Sequence, residues 1–448
     1  MSRRYRILFA ISDTGGGHRS GAAALHAALL QHPHAHGLEY DTIDMITSTG
    51  LPLLRNAPGL YDDLSTRWLP LFNLLFQLTN GRRRIDTISQ IAYVSAQRNI
   101  YRAIESYKPD LIVSVHPLAN RFIGHARRTY NMPFRFITVV TDLVSLHTAW
   151  GDLDADLCIA PTHEAVDLLI KQGMPTEKVV YAGFPVHPKF TACTLTVAEA
   201  RAHTGLDATR YTILLTAGGV GSGRLRDLVL AVHTAHPEAQ LLVVTGRNAA
   251  LRAELQRLAL PTHVNIYGFV DNMEQLMAAS DVVVTKAGPG TLMEALVMRR
   301  PVIITEAVGL QERGNIDFVL QRGLGEYSKR IPDIVAAVGK LVDPAVRAAI
   351  TARLNDAVPR DGSRRIADLI LEQLVLDPPI MHKHPLALAS LPHWLRRQDL
   401  GDESRKRLRI LNARVIESLR RYGGLSGRAA HNAGYVRIPL NAINLGFS

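Results

Sequence analysis

One histidine stands in an unusual setting. Between an apolar run at Arg6–Ile11 and an apolar-patterned stretch at Ser20–Leu30 lies Ser12-Asp-Thr-Gly-Gly-Gly-His-Arg-Ser20. Three consecutive glycines, Gly16 and Gly17 among them, let another molecule approach the backbone, and the first N–H groups of a following helix are free to meet polar or anionic groups. At a helix start the dipole disfavours imidazolium, so His18 is suited to stay neutral and accept a proton, with Asp13 near enough in sequence to orient it. The competing reading is a histidine that merely caps a tight turn. The spacing is neither G-x-G-x-x-G nor a P-loop with Lys-Ser/Thr, which argues against nucleotide hydrolysis.

The second half carries two comparable loops. Ala217-Gly-Gly-Val-Gly-Ser-Gly223 follows an apolar strand, and Thr285-Lys-Ala-Gly-Pro-Gly-Thr291 follows another and opens a helix. Both patterns suit a phosphate cradle, the second through Gly288, Gly290 and Thr291. Glu294 lies one helical turn further on, where its carboxylate can accept hydrogen bonds from a ribose; a solvated or capping glutamate is the plainer account. Gln311-Glu-Arg-Gly-Asn315 follows the next strand, and its amides and carboxylate suit a hydroxyl-rich ligand. An ordinary polar loop would read the same way.

Positioning such loops takes alternating strands and helices. Arg6–Ile11, Leu111–Val115, Phe136–Val140 and Val179–Ala182 read as strands in the first half. Thr212–Thr216, Leu241–Thr245, Val264–Tyr267, Asp281–Thr285 and Val302–Thr305 do so in the second. That order predicts an α/β protein with two doubly wound, Rossmann-like parallel-sheet domains facing a cleft, residues 1–184 and 185–376, followed by a basic, partly helical tail at 377–448. At 448 residues, 47% of them hydrophobic and 20% charged, the chain has material for two cores and is neither disordered nor collagen-like. Two cysteines, Cys158 and Cys193, exclude a disulfide framework and a thiolate metal cluster, and point to a reducing, intracellular setting.

The net charge of +11 favours an anionic partner. Residues 377–448 hold 12 Lys and Arg against five Asp and Glu, a net +7, which leaves +4 for the first 376. In the tail Leu408, Leu411, Val415, Leu419 and Tyr422 recur at helical spacing among arginines, a basic amphipathic pattern that fits an anionic membrane surface or a clasp on the protein body. Trp68-Leu-Pro-Leu-Phe-Asn-Leu-Leu-Phe76, with Phe72 at its centre, precedes Arg82, Arg83 and Arg84. Apolar bulk beside cations suits the interface of an anionic bilayer, against the simpler reading of a core helix beside a solvated charge run. No apolar run approaches the ~18 to 20 residues that span a bilayer, and MSRRYRILFA passes directly into a strand-like run. The expectation is a peripheral protein on the cytoplasmic side of a membrane, without signal peptide or membrane-spanning helix. Nucleic acid is not expected as a partner, since the arginines sit beside bulky aliphatics and no stacking platform is visible.

These motifs, with Ser114-Val-His-Pro117, Thr138-Val-Val-Thr-Asp142 and Gly268-Phe-Val-Asp-Asn-Met273, occur in an order that resembles the monogalactosyldiacylglycerol synthases over about residues 5–375. These enzymes are relatives of the bacterial transferase that adds N-acetylglucosamine to the lipid-linked peptidoglycan precursor. The resemblance implies a GT-B fold and an inverting transfer of a hexose, most readily galactose, from a UDP-sugar to diacylglycerol, with no essential metal or other cofactor. It implies Gly218 and Gly219 at the diphosphate, Phe269 and Val270 at the uracil, Glu294 at the ribose, and Gln311, Glu312 and Asn315 at the sugar and phosphates. His18 becomes the acceptor-activating base, with Asp142 as the next candidate, and the acceptor side takes in Gly16, Gly17, His116 and His147. Leu143-Val-Ser-Leu-His147-Thr-Ala-Trp150 departs from the longer Cys/Pro-containing stretch expected there, and the tail beyond Asp377 lies outside the resemblance. UDP-glucose in place of UDP-galactose, a UDP-sugar epimerase on the same fold, and a non-catalytic nucleotide-sugar or lipid-binding protein are the alternatives.

Overall fold

The computed structural model describes residues 4–12, 16–51, 54, 56–216, 224–258 and 260–379. Asp13, Gly218, Gly219 and the expected tail helix lie outside the described residues. Six strands form the first sheet: β1 (Tyr5–Ile11), β2 (Leu38–Asp44), β3 (Leu111–Ser114), β4 (Arg135–Val139), β5 (Leu157–Ala160) and β6 (Val179–Tyr181). All pair in parallel in the order β2-β1-β3-β4-β5-β6. Six more form the second: β7 (Thr212–Thr216), β8 (Gln240–Val244), β9 (Val264–Tyr267), β10 (Val282–Thr285), β11 (Val302–Ile304) and β12 (Gly325–Tyr327). These are again parallel, in the order β12-β11-β10-β7-β8-β9.

Parallel sheets need cover on both faces, and β1 shows how an unbroken apolar run supplies it. Ile7, Phe9 and Ile11 face one side and pack with Ala22, Leu25 and Leu29 of helix Gly16–Leu30. Leu8 and Ala10 face the other, against Tyr93, Ala96, Ile100 and Ile104, which repeat at helical spacing on helix Arg82–Tyr107. The second sheet builds one larger core around Leu214, Val243, Val283 and Ile303.

Helix Gly362–Leu374 follows the second sheet in sequence yet buries Ile366, Ala367, Ile370 and Leu374 in the core of the first. It is tied there by Asp368 Oδ1 to His32 Nε2 at 2.8 Å. The chain therefore returns to its starting half. In each sheet the strand order reverses direction once, between β1 and β3 and between β7 and β10, and ligands of doubly wound sheets bind where the loops leave such points.

Candidate active site

His18 leaves the first of these switch points. It sits in the opening turn of helix Gly16–Leu30 with 9% of its surface exposed, its Nδ1 3.0 Å from Thr141 Oγ1 after β4, and it is also hydrogen-bonded to the Val115 backbone after β3. Burial pulls its pKa down to about 4, opposed by the Val115 bond, so the ring is neutral at physiological pH. Thr141 and Val115 thus orient His18; Asp13, which the sequence offered for that role, lies outside the described residues. His116, which leaves β3, packs edge-on against His18 with 4.7 Å between ring centres, and burial with the His18 neighbour holds its pKa well below the usual value. Trp150 closes the group, 6.1 Å from the His18 ring.

Asp142 is a buried carboxylate with two donors. Trp150 Nε1 donates to Oδ2 at 2.7 Å, and Gln311 Nε2, arriving from the second half, donates to Oδ1 at 3.4 Å. Desolvation pushes its pKa up to about 6 against both hydrogen bonds. Next along the loop, His147 Nδ1 accepts from Ala149 N–H at 3.1 Å, which leaves Nε2–H to donate to Thr79 Oγ1 at 3.0 Å. Its ring meets Phe76 edge-on, and burial lowers its pKa to about 4.

The opposite side is built from the loops after β10 and β11. Gly288 precedes helix Pro289–Val297, so Gly290 and Thr291 occupy its first turn, where backbone N–H groups are unpaired within the helix. This turn reaches the first half directly: a Cβ on Gly290 would lie 3.4 Å from Ser20 Oγ, and one on Gly17 would lie 3.9 Å from Pro289 Cγ. Two glycine-bearing helix starts therefore face each other at close range. Desolvation raises Glu294 to about 7, with Lys189 lowering it and Glu274 raising it. Lys189 itself comes from the segment that joins the two halves; its Nζ bonds Glu274 Oε2 at 2.8 Å and the Asp271 carbonyl.

Beyond β11, Glu312 Oε2 accepts from Val308 N–H at 2.7 Å, and burial raises its pKa to about 6. Asn315 is 1% exposed; its Nδ2 donates to the Ala287 carbonyl at 2.8 Å while its buried Oδ1 has no partner among the described residues. Such an orphan acceptor is costly unless a ligand donor meets it. Phe269 and Val270 lie further off, at the end of the edge strand β9; Phe269 is 65% exposed, with the Arg247 guanidinium 5.3 Å above its ring.

Phe76 belongs to helix Leu69–Thr79, none of whose residues is buried. Trp68, Leu74, Leu75 and Leu78 are exposed while Phe72 packs edge-on to Tyr61. That disposes of the core-helix reading. Of the arginines, Arg82 donates to the Gln172 carbonyl at 2.8 Å and Arg84 to the Asn80 carbonyl at 3.3 Å; Arg83 is exposed. Thr141, Trp150 and Lys189 were not singled out in sequence. Thr141 stood beside Asp142 in a quoted motif, but nothing local marks Trp150 Nε1 as the partner of Asp142, eight residues before it, or Lys189 Nζ as that of the distant Glu274.

Residues 18–186 match the family model for monogalactosyldiacylglycerol (MGDG) synthase, and residues 212–323 match the glycosyltransferase family 28 C-terminal domain. The chloroplastic monogalactosyldiacylglycerol synthase of Spinacia oleracea is 32% identical over 76% of this chain and 66% of its own. The probable monogalactosyldiacylglycerol synthase 2, chloroplastic, of Oryza sativa subsp. indica is 31% identical over 72% of this chain and 70% of its own. The chain thus spans 66% of the length of the spinach relative. Among solved structures, the kitacinnamycin glycosyltransferase superposes with a TM-score of 0.56 at 17% identity, over 83% of this chain and 100% of its own, a likeness of fold.

Proposed function

From its membership of the monogalactosyldiacylglycerol synthase family, to which the chain belongs, we propose that it transfers a hexose, galactose in our reading, from UDP-sugar to the free hydroxyl of diacylglycerol. The observation that carries this is the close approach of the helix start bearing His18 to the helix start bearing Gly290 and Thr291. One side offers a neutral base and the other offers backbone donors for a diphosphate.

In this reaction the acceptor oxygen attacks the anomeric carbon from the face opposite the nucleotide and forms the new glycosidic bond. Its proton passes to His18. The bond from the anomeric carbon to the diphosphate oxygen breaks with its electron pair, and UDP leaves with the configuration inverted. Charge building on the departing diphosphate is met by the N–H groups at Gly290 and Thr291, and by those at Gly218 and Gly219. Glu294 accepts from the ribose hydroxyls, Phe269 and Val270 flank the uracil, and Gln311, Glu312 and the unpartnered Asn315 Oδ1 meet the hexose and phosphates. His116 and His147 line the acceptor side. We assign residues 1–184 to acceptor binding and 185–376 to donor binding, with helix Gly362–Leu374 fastening the second to the first.

Diacylglycerol does not leave the bilayer, so the protein must visit the interface. No described helix is long and apolar enough to cross a membrane. Peripheral binding to an anionic surface from the cytoplasmic side, through Trp68, the exposed leucines of helix Leu69–Thr79 and the neighbouring arginines, fits this requirement. The test is a donor screen on diacylglycerol vesicles with mass detection of the glycolipid. UDP-galactose is expected to yield the monohexosyl product. Product from UDP-glucose alone would reassign the sugar, turnover of UDP-sugar without lipid would indicate an epimerase, and UDP binding with no product from any donor would leave a binding protein.

A further inference from the structure

Helix Leu69–Thr79 has a second face that the membrane reading does not use. Leu310 N–H donates to Asn73 Oδ1 at 2.9 Å across 237 residues of sequence, so the loop after β11 hangs from this helix by a backbone hydrogen bond. The preceding residue, Gly309, adopts a left-handed φ of 57°. A Cβ there would lie 3.3 Å from Leu69 Cδ1, 3.2 Å from Phe72 Cδ1 and in collision with Asn73 Oδ1. Only glycine lets loop and helix approach this closely. Seven residues further along, about 10 Å at 1.5 Å per residue, Asn80 Oδ1 accepts from Thr148 N–H at 2.9 Å and from Thr148 Oγ1 at 2.5 Å. Thr79 and Phe76 hold His147 beside it. One short helix thus grips a loop from each half of the molecule.

We propose that Asn73 is a positioning residue for the donor sugar: by holding Leu310 it sets segment 308–312 so that Gln311 and Glu312 meet the hexose. The inference rests on the reading of those two residues as sugar contacts. Among the described residues, Glu312 is folded back on Val308 N–H of its own loop and Gln311 reaches Asp142 only at 3.4 Å, so the Asn73 bond is the shorter of the two that tie this loop to the first half. Uracil and ribose are read elsewhere, around Phe269 and Glu294. Loss of the Asn73 bond therefore acts on the hexose and spares the nucleotide.

The experiment compares binding of UDP and of UDP-galactose to the full-length protein by calorimetry, together with KM and kcat on diacylglycerol vesicles. Asn73→Leu removes the acceptor; Asn73→Asp keeps an oxygen in place for Leu310 N–H. Asn73→Leu is expected to weaken UDP-galactose binding about tenfold, the scale of one hydrogen bond, to raise KM in parallel, and to change UDP binding less than twofold. Asn73→Asp is expected to restore most of the loss. Gly309→Ala gives a second route to the same displacement and is expected to show the same selectivity. Unchanged UDP-galactose affinity in Asn73→Leu, equal loss of UDP and UDP-galactose, or equal weakness of the Leu and Asp variants would each overturn the proposal. Gln311→Ala is the control: if it too leaves UDP-galactose affinity intact, the donor-sugar reading fails, and the positioning role fails with it.

Discussion

Burial shifts titratable groups on both sides of the cleft toward their uncharged forms, imidazoles on one and carboxyls on the other. On the first, imidazoles are held unprotonated: His18 and His147 are lowered to about 4, and His116 is lowered as well. On the second, carboxyls are pushed toward protonation, Glu294 to about 7 and Glu312 to about 6. The leading cause is the same throughout, removal from water, which penalises whichever form carries charge. In the proposed reaction, a diphosphate bound beside His18 would raise its pKa from about 4 and make it a stronger base.

The largest effect expected from breaking this arrangement is on the first side. His18→Ala should lower turnover about 10² to 10⁴-fold, the usual worth of a general base, with little change in UDP affinity. Turnover close to that of the unaltered protein would remove His18 from its role and pass it to Asp142. In the unaltered protein the acid limb of kcat is expected at higher pH than that of the free enzyme's His18, because the donor raises it.

On the second side the effect is on binding. Glu294→Ala should weaken UDP by about 1.5 to 3 kcal/mol, the scale for hydrogen bonds to a charged group. Its pKa of about 7 lies above that of a free carboxyl, so the fraction ionised falls through neutrality. The difference in UDP affinity between the unaltered protein and Glu294→Gln, measured by calorimetry, should therefore shrink from pH 8 to pH 6. A difference that does not change with pH would separate Glu294 from the ribose.

Where the two sides touch, Asp142→Ala strands the buried indole N–H of Trp150 and removes the acceptor for Gln311. Loss of about 1 to 3 kcal/mol of stability is expected in denaturant unfolding, the cost of an unsatisfied buried donor. An unchanged midpoint would mean that another group takes up the Trp150 proton. The smallest effect concerns the interface: changing Arg82, Arg83 and Arg84 together to Ser should weaken vesicle binding by at most about 1 kcal/mol per residue, less at high salt. Arg83 is expected to account for most of it, because Arg82 and Arg84 already donate to carbonyls. Equal binding to neutral and anionic vesicles at all salt concentrations would assign the charge another purpose.

The sequence was most informative where a short local pattern has one structural solution. Arg6–Ile11, Leu111–Val115 and Thr212–Thr216 are apolar runs bounded by turn residues, and each became a buried parallel strand. Three strands escaped this reading: β2 is Leu-Glu-Tyr-Asp-Thr-Ile-Asp, with no residue buried, β12 has only three residues, and β5, though buried, offers only the four residues Leu157–Ala160, so none carries enough apolar pattern to announce itself. The glycine-rich starts of helices Gly16–Leu30 and Pro289–Val297 were legible for the same local reason, and so was the candidate role of His18.

By itself, the sequence determined the alternation of strands and helices, the two glycine-flanked helix starts and the order of motifs that marks the family, because hydrophobic period and turn chemistry act between near neighbours in the chain. Tertiary structure alone decided what each of these groups touches. Thr141 lies 123 residues from His18, Gln311 lies 169 from Asp142, and Leu310 lies 237 from Asn73. A hydrogen bond across such a separation exists only because two sheets and a returning helix bring the partners within 3 to 3.5 Å, and the desolvation that sets their charge comes from that same packing.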